Sequence, residues 1–100
     1  MQAIRVQYTV RDDYAETNAA RVQAVMDELR ATGQQGIQYT CFRVPDTATF
    51  IHLVVLEREE LKGVVPGLAA FKVFREGLRE NAVSPPDNQP LGVIGTSYDL

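Results

Sequence analysis

The chain has 100 residues, 45% of them apolar and 23% charged, which is the balance of an ordinary globular protein and the length of one domain, residues 1–100, with one modest core. Its formal net charge of -3, with Lys and Arg scattered rather than striped, offers no basic field for phosphates and argues against nucleic acid as a partner. The lone Cys41 excludes an internal disulfide, Met1 does not open a signal-peptide pattern, and no apolar run approaches the roughly 20 residues that span a bilayer, so a cytoplasmic protein with no membrane partner is expected.

From Ala3 to Val10, the residues Ile4, Val6, Tyr8 and Val10 alternate with Arg5, Gln7 and Thr9, and this period of two predicts a strand with one buried face. Asp13, followed three residues later by Glu16, has the form of a helix N-cap with its reciprocal carboxylate, so a helix is expected from Tyr14. Within it Val22, Val25, Met26 and Leu29 recur at spacings of three and four, one apolar stripe for the sheet, and Gly33 is placed for a left-handed cap that ends the helix near Thr32. Ile37 to Val44 is rich in β-branched and aromatic residues and leads into Pro45 and Asp46, so a hairpin is predicted. Thr49 to Glu57 then carries Phe50, Val54 and Leu56 on one alternation set and Ile51, Leu53 and Val55 on the other, which puts this strand in the middle of a sheet with both faces covered. Arg58 to Val65 predicts one or two helical turns, ended by Pro66 and Gly67, and Leu68, Phe71, Phe74 and Leu78 give a second amphipathic helix. Asn81 to Pro90, with three prolines among polar residues, reads as an irregular surface loop, and Leu91 to Tyr98 as a fourth strand weakened by Gly92 and Gly95.

Strand, helix, strand, strand, helix, strand is the order of a split βαβ pair: a ferredoxin-like α+β fold whose right-handed crossovers give a four-stranded antiparallel sheet in the order 4-1-3-2, helices on one face. The apolar groups Ile51, Leu53 and Val55, or their opposite set, are too many to leave wet on the other face, so a second copy packing sheet against sheet about a two-fold axis is expected. This order, with the segments TFIHLVVLE at Thr49 to Glu57 and LAAFKVFREGL at Leu68 to Leu78, resembles the dimeric α+β barrel superfamily, and within it the antibiotic biosynthesis monooxygenase-like proteins, over nearly the whole chain. The resemblance implies a homodimer and a candidate cofactor-free oxygenase that turns phenolic or anthrone substrates into quinones. The haem-degrading branch of the superfamily uses an Asn in the first strand, a Trp, and a His on the second helix. This chain has Gln7 in the first strand, no Trp and no helical His, which argues against haem.

His52 is the only histidine, and imidazole is the side chain best suited to accept a substrate proton near neutral pH, as an oxygenase must to make an electron-rich carbanion. The plainer alternative is a structural His that hydrogen-bonds a neighbouring strand or a water at the dimer seam. Tyr8 and Tyr39 lie on strands and could present hydroxyls to a substrate, although strand tyrosines more often serve core or interface. Cys41 reads as an inert buried thiol, and Arg5 and Arg43 as charges of a solvated or salt-bridged strand face. Glu57, Glu59 and Glu60 lack a further ligand at metal-binding spacing, and Gly33 with Gly36 makes no phosphate loop, so neither metal nor cofactor is expected.

Two functions follow. The first is a cofactor-independent monooxygenase acting on a small aromatic or quinone-forming molecule, with His52 as base and Tyr8 and Tyr39 lining the pocket. The alternative is a non-catalytic dimeric barrel that binds a small apolar ligand or serves a stress response.

Overall fold

A computed structural model describes residues 1–98. Four strands and two long helices follow in the expected order: β1 (Gln2–Thr9), α1 (Ala15–Thr32), β2 (Ile37–Arg43), β3 (Thr49–Leu56), α2 (Ala69–Asn81) and β4 (Asp87–Leu91). The sheet runs β2-β3-β1-β4 with every neighbouring pair antiparallel, which is the predicted 4-1-3-2 order read from its other edge. The register places Val6 and Cys41 on either side of His52, Phe50 opposite Tyr8, and Val54 opposite Tyr39.

Period two then sorts the faces. Tyr8, Val10, Phe50 and His52 point to the side carrying the helices and are buried there with Val22 and Val25 of α1 and Phe74 and Leu78 of α2. Ile51, Leu53 and Val55 are half-buried on the other side. Arg5 shares that side, bonded to Gln7, Asp87 and Gln89. The β2–β3 turn is made by Pro45 and by Asp46 at φ 63°, a left-handed conformation that aspartate tolerates. α1 ends as its sequence predicts, with Gly33 at φ 69° and its N–H donated to the Arg30 carbonyl.

Two expectations are corrected. The fourth strand is Asp87–Leu91, inside the stretch read as a loop, whereas residues 92–96 form no regular element. All five strand residues are exposed, so no apolar alternation marks them; pairing with β1 defines the strand, and an edge position tolerates Pro90. Asp13 does not cap α1 but sits in a 3-10 turn, Asp12–Tyr14, and Glu16 reaches across to Arg43 at 2.7 Å instead. The turns expected at Arg58 to Val65 form a 3-10 helix over Glu59–Gly63 whose acidic first turn pairs with Arg58 and Lys62. Leu68 opens α2 without a side-chain cap of its own, and Glu28 of α1 supplies one, accepting the backbone N–H groups of Ala70 at 2.7 Å and Ala69 at 3.2 Å. Among the described residues no helix is long and apolar enough to cross a membrane.

Candidate functional site

His52 lies near the centre of β3 on the helix-facing side, 3% exposed, with its ring among Tyr8, Tyr39 and Phe74 at centroid distances of 5.2, 5.6 and 5.4 Å. The strands on either side aim a hydroxyl at each ring nitrogen. Tyr8 Oη of β1 is 2.7 Å from Nε2 and Tyr39 Oη of β2 is 2.7 Å from Nδ1. Beyond Tyr8, the Asn18 amide of α1 donates through Nδ2 to the same hydroxyl at 2.9 Å. Asn18 is fully buried, and its Oδ1 has no partner. The sheet and α1 thus bring together a four-residue chain of polar atoms, Asn18, Tyr8, His52, Tyr39, inside an aromatic core.

The donors set the direction of this chain. Tyr8 Oη accepts from Asn18, so its single hydrogen goes to Nε2. A neutral imidazole that accepts at Nε2 carries its proton on Nδ1, which donates to Tyr39 Oη. The Tyr39 O–H is then left free to donate to a further acceptor. Cys41 Sγ, 3.4 Å from Nε2, is a second and weaker neighbour of the accepting nitrogen.

Burial keeps every member of the cluster uncharged. It lowers His52 from the ordinary 6.5 to about 4, so the ring is neutral at physiological pH. Burial raises both tyrosines far above the ordinary phenol value, opposed at Tyr8 by the hydrogen bond from Asn18 and reinforced at Tyr39 by Cys41. It also pushes the Cys41 thiol up to about 11, so the thiol is protonated. Such a chain transmits hydrogen-bond polarity, or a proton in concert, without holding net charge.

The chain ends at a cavity of about 770 Å³ between the sheet and α2, and Tyr8, Tyr39 and His52 all form part of its wall. The rest of the wall is mainly apolar, including Val6, Val54, Leu61, Phe71, Phe74 and Leu78, with Lys62, Arg75 and Asn88 among its polar residues. A volume of this size with a few converging polar groups suits a small-molecule ligand. Among the described residues no group of three or more His, Cys, Asp or Glu side chains could hold a metal ion.

The three residues singled out from the sequence therefore meet at one place. Arg5 and Arg43 lie outside it, tied to Asp87 and Glu16. Two members of the cluster were not identified as partners of His52. Asn18 occupies the phase of the α1 stripe, four residues before Val22, and a polar residue on an apolar stripe is the signal that would have marked it. Cys41 faces His52 across the hairpin, a pairing set by a four-residue connection over residues 45–48 rather than by the Pro45–Asp46 pair alone, from which counting outward would have matched Cys41 with Phe50.

No protein-family model and no curated protein matches the sequence. Solved structures do match the fold. A candidate antibiotic biosynthesis monooxygenase from Nitrosomonas europaea superimposes with a TM-score of 0.79 at 13% identity, over 95% of this chain and 100% of its own. Another candidate antibiotic biosynthesis monooxygenase, from Caulobacter crescentus, gives 0.79 at 12% identity over 94% and 90%. A protein of unknown function from Nitrosomonas europaea gives 0.78 at 11% over 99% and 94%. The resemblance read from the sequence is borne out as a shared fold.

Proposed function

We propose, starting from a fold shared with candidate antibiotic biosynthesis monooxygenases, that this protein is a cofactor-free monooxygenase of a small aromatic, quinone-forming substrate. In this reading it works as a homodimer joined through the sheet face that bears Ile51, Leu53 and Val55. The observation that carries it is the Tyr39–His52–Tyr8–Asn18 chain ending at an otherwise mainly apolar cavity. In the proposed reaction a ring CH2 and dioxygen become a carbonyl and water. The substrate C–H loses its proton, the carbanion reduces dioxygen, and the hydroperoxide formed on that carbon loses water.

Tyr39 meets the substrate, its hydroxyl orienting the ring and stabilising oxyanion character as it develops. Both imidazole nitrogens are bonded to tyrosines and only Nε2 accepts, so the proton reaches His52 through Tyr8, which also lines the cavity and hands its own proton to Nε2 as it receives the substrate's. The proton returns to the peroxide oxygen to give that hydroperoxide, whose remaining C–H hydrogen leaves with the hydroxide as water. A base held at about 4 serves only a carbon acid whose anion is spread over an aromatic system, which favours anthrone-like substrates. The same saturation of the imidazole favours a second reading, a barrel that binds such a molecule without changing it.

Oxygen uptake by purified protein freed of metal and flavin, measured against a panel of anthrones and hydroquinones for wild type and His52→Ala, separates the two. Uptake that the substitution abolishes, with the oligomeric state kept in light scattering, supports the oxygenase. Uptake that the substitution leaves intact removes His52 from the mechanism, and calorimetric binding with no uptake selects the second reading.

A further inference from the structure

The buried amide of Asn18 is satisfied on one side only. Its Nδ2 bonds Tyr8 while Oδ1 has no partner, and the residue is sealed from water. A half-turn of the amide exchanges oxygen and nitrogen with almost no change of shape. Tyr8 then donates to Oδ1, Nε2–H donates to Tyr8, Nδ1 accepts from Tyr39, and the Tyr39 oxygen is left to accept from the cavity. Each direction leaves one end of the amide without a partner, so full satisfaction does not select between them. The selecting contact is the one still open at Tyr39, which faces the cavity.

We propose that Asn18 is a positioning residue that reverses this chain, so that one cavity takes either a carbonyl oxygen or a hydroxyl at Tyr39. With Nδ2 toward Tyr8, His52 carries its proton on Nδ1 and Tyr39 donates to a ketone or quinone oxygen. With Oδ1 toward Tyr8, His52 carries its proton on Nε2 and Tyr39 accepts from a phenol. The ligand class is thus an aromatic molecule in both its hydroxyl and its carbonyl forms. This rests on the proposed binding of an aromatic molecule in the cavity and extends it, because the second direction also frees Nδ1 to take a proton through Tyr39. No net charge moves in the reversal, which suits a site where burial disfavours every charged form.

The chain has a single histidine, so protein labelled with 15N-histidine reports His52 alone. In the free protein the spectrum is expected to show the Nδ1-protonated tautomer. Saturating 1-tetralone, a ketone, should leave it so, while saturating 1-naphthol should make the protonated and unprotonated nitrogens exchange places. Asn18→Leu, which removes the director, should give a mixture of tautomers in the free protein and a weaker response to either ligand. Binding of both probes with one unchanged tautomer overturns the reversal and leaves the proposed binding intact. Failure of both probes to bind overturns both. The ligand experiment needs no variant, so poor folding of Asn18→Leu does not protect the inference.

Discussion

The neutral, buried imidazole makes a quantitative demand on stability. In the unfolded chain His52 titrates near its ordinary 6.5, and in the folded protein near 4. Above about pH 6.5 the ring is neutral in both states and the difference contributes nothing. As the pH falls further, the unfolded chain takes up a proton that the folded protein refuses, so stability is lost progressively until the folded ring also protonates near pH 4. The full loss is about 3 kcal/mol, of which about 2.5 kcal/mol is already gone at about pH 4.5. That is a large share of the ~5–15 kcal/mol that holds a domain together.

The comparison is with His52→Gln, a side chain that can bond both tyrosines and does not titrate. Urea unfolding of each protein at about pH 7.5 and about pH 4.5, followed by circular dichroism since the chain has no Trp, should show wild type losing about 2.5 kcal/mol more than the variant. Every carboxylate is common to the two proteins, so their titration cancels in this double difference. Equal losses would refute the argument that burial holds the imidazole neutral.

A Cβ at Gly77 would collide with the Tyr14 hydroxyl, so Gly77→Ala is expected to cost about 1–3 kcal/mol by thermal unfolding, and less in a Tyr14→Phe background. Tyr14→Phe alone removes a buried hydroxyl that has no partner and should be neutral or stabilising by up to about 1 kcal/mol. Glu28→Ala should cost about 1–2 kcal/mol in urea unfolding, because it uncaps α2, with Glu28→Gln retaining part of the cap. Cys41, raised from 9.0 to about 11, should react with iodoacetamide about 100-fold more slowly at neutral pH than an unshifted thiol, the rate climbing as the pH rises. Leu53→Lys, on the face proposed to join two copies, should convert a dimer to a monomer in light scattering, and an unchanged mass would move the interface elsewhere.

The alternation of Ile4, Val6, Tyr8 and Val10, the stripe of α1 and the two-sided apolarity of β3 were enough to order the sheet, because burial writes a period into the sequence. The fourth strand carries no such record. Its residues are exposed on an edge, and backbone pairing with β1 defines it, so Leu91, Val93 and Ile94 drew the reading outward past the real strand. The candidate cap at Asp13 failed for a related reason: Asp13 lies in a 3-10 turn, and Glu16 pairs with Arg43, distant in sequence, rather than with a neighbouring N–H. At the site, Tyr8, Tyr39 and His52 could be picked by residue type and strand phase, but their mutual contacts depend on the cross-strand register. Asn18 was legible only as an interruption of the α1 stripe, and its meaning appears once α1 lies against β1.

The edge formed by β4 limits how the molecule can grow. Its exposed segment ends in Pro90 and Leu91, and Pro85 and Pro86 precede it. Proline has no N–H to give a further strand, and Asp87 adds charge, so continuing the sheet sideways into another molecule is disfavoured on this side. Polymerisation by strand addition is the hazard of an open sheet. With that margin blocked, the association proposed through the apolar sheet face would saturate after a single partner.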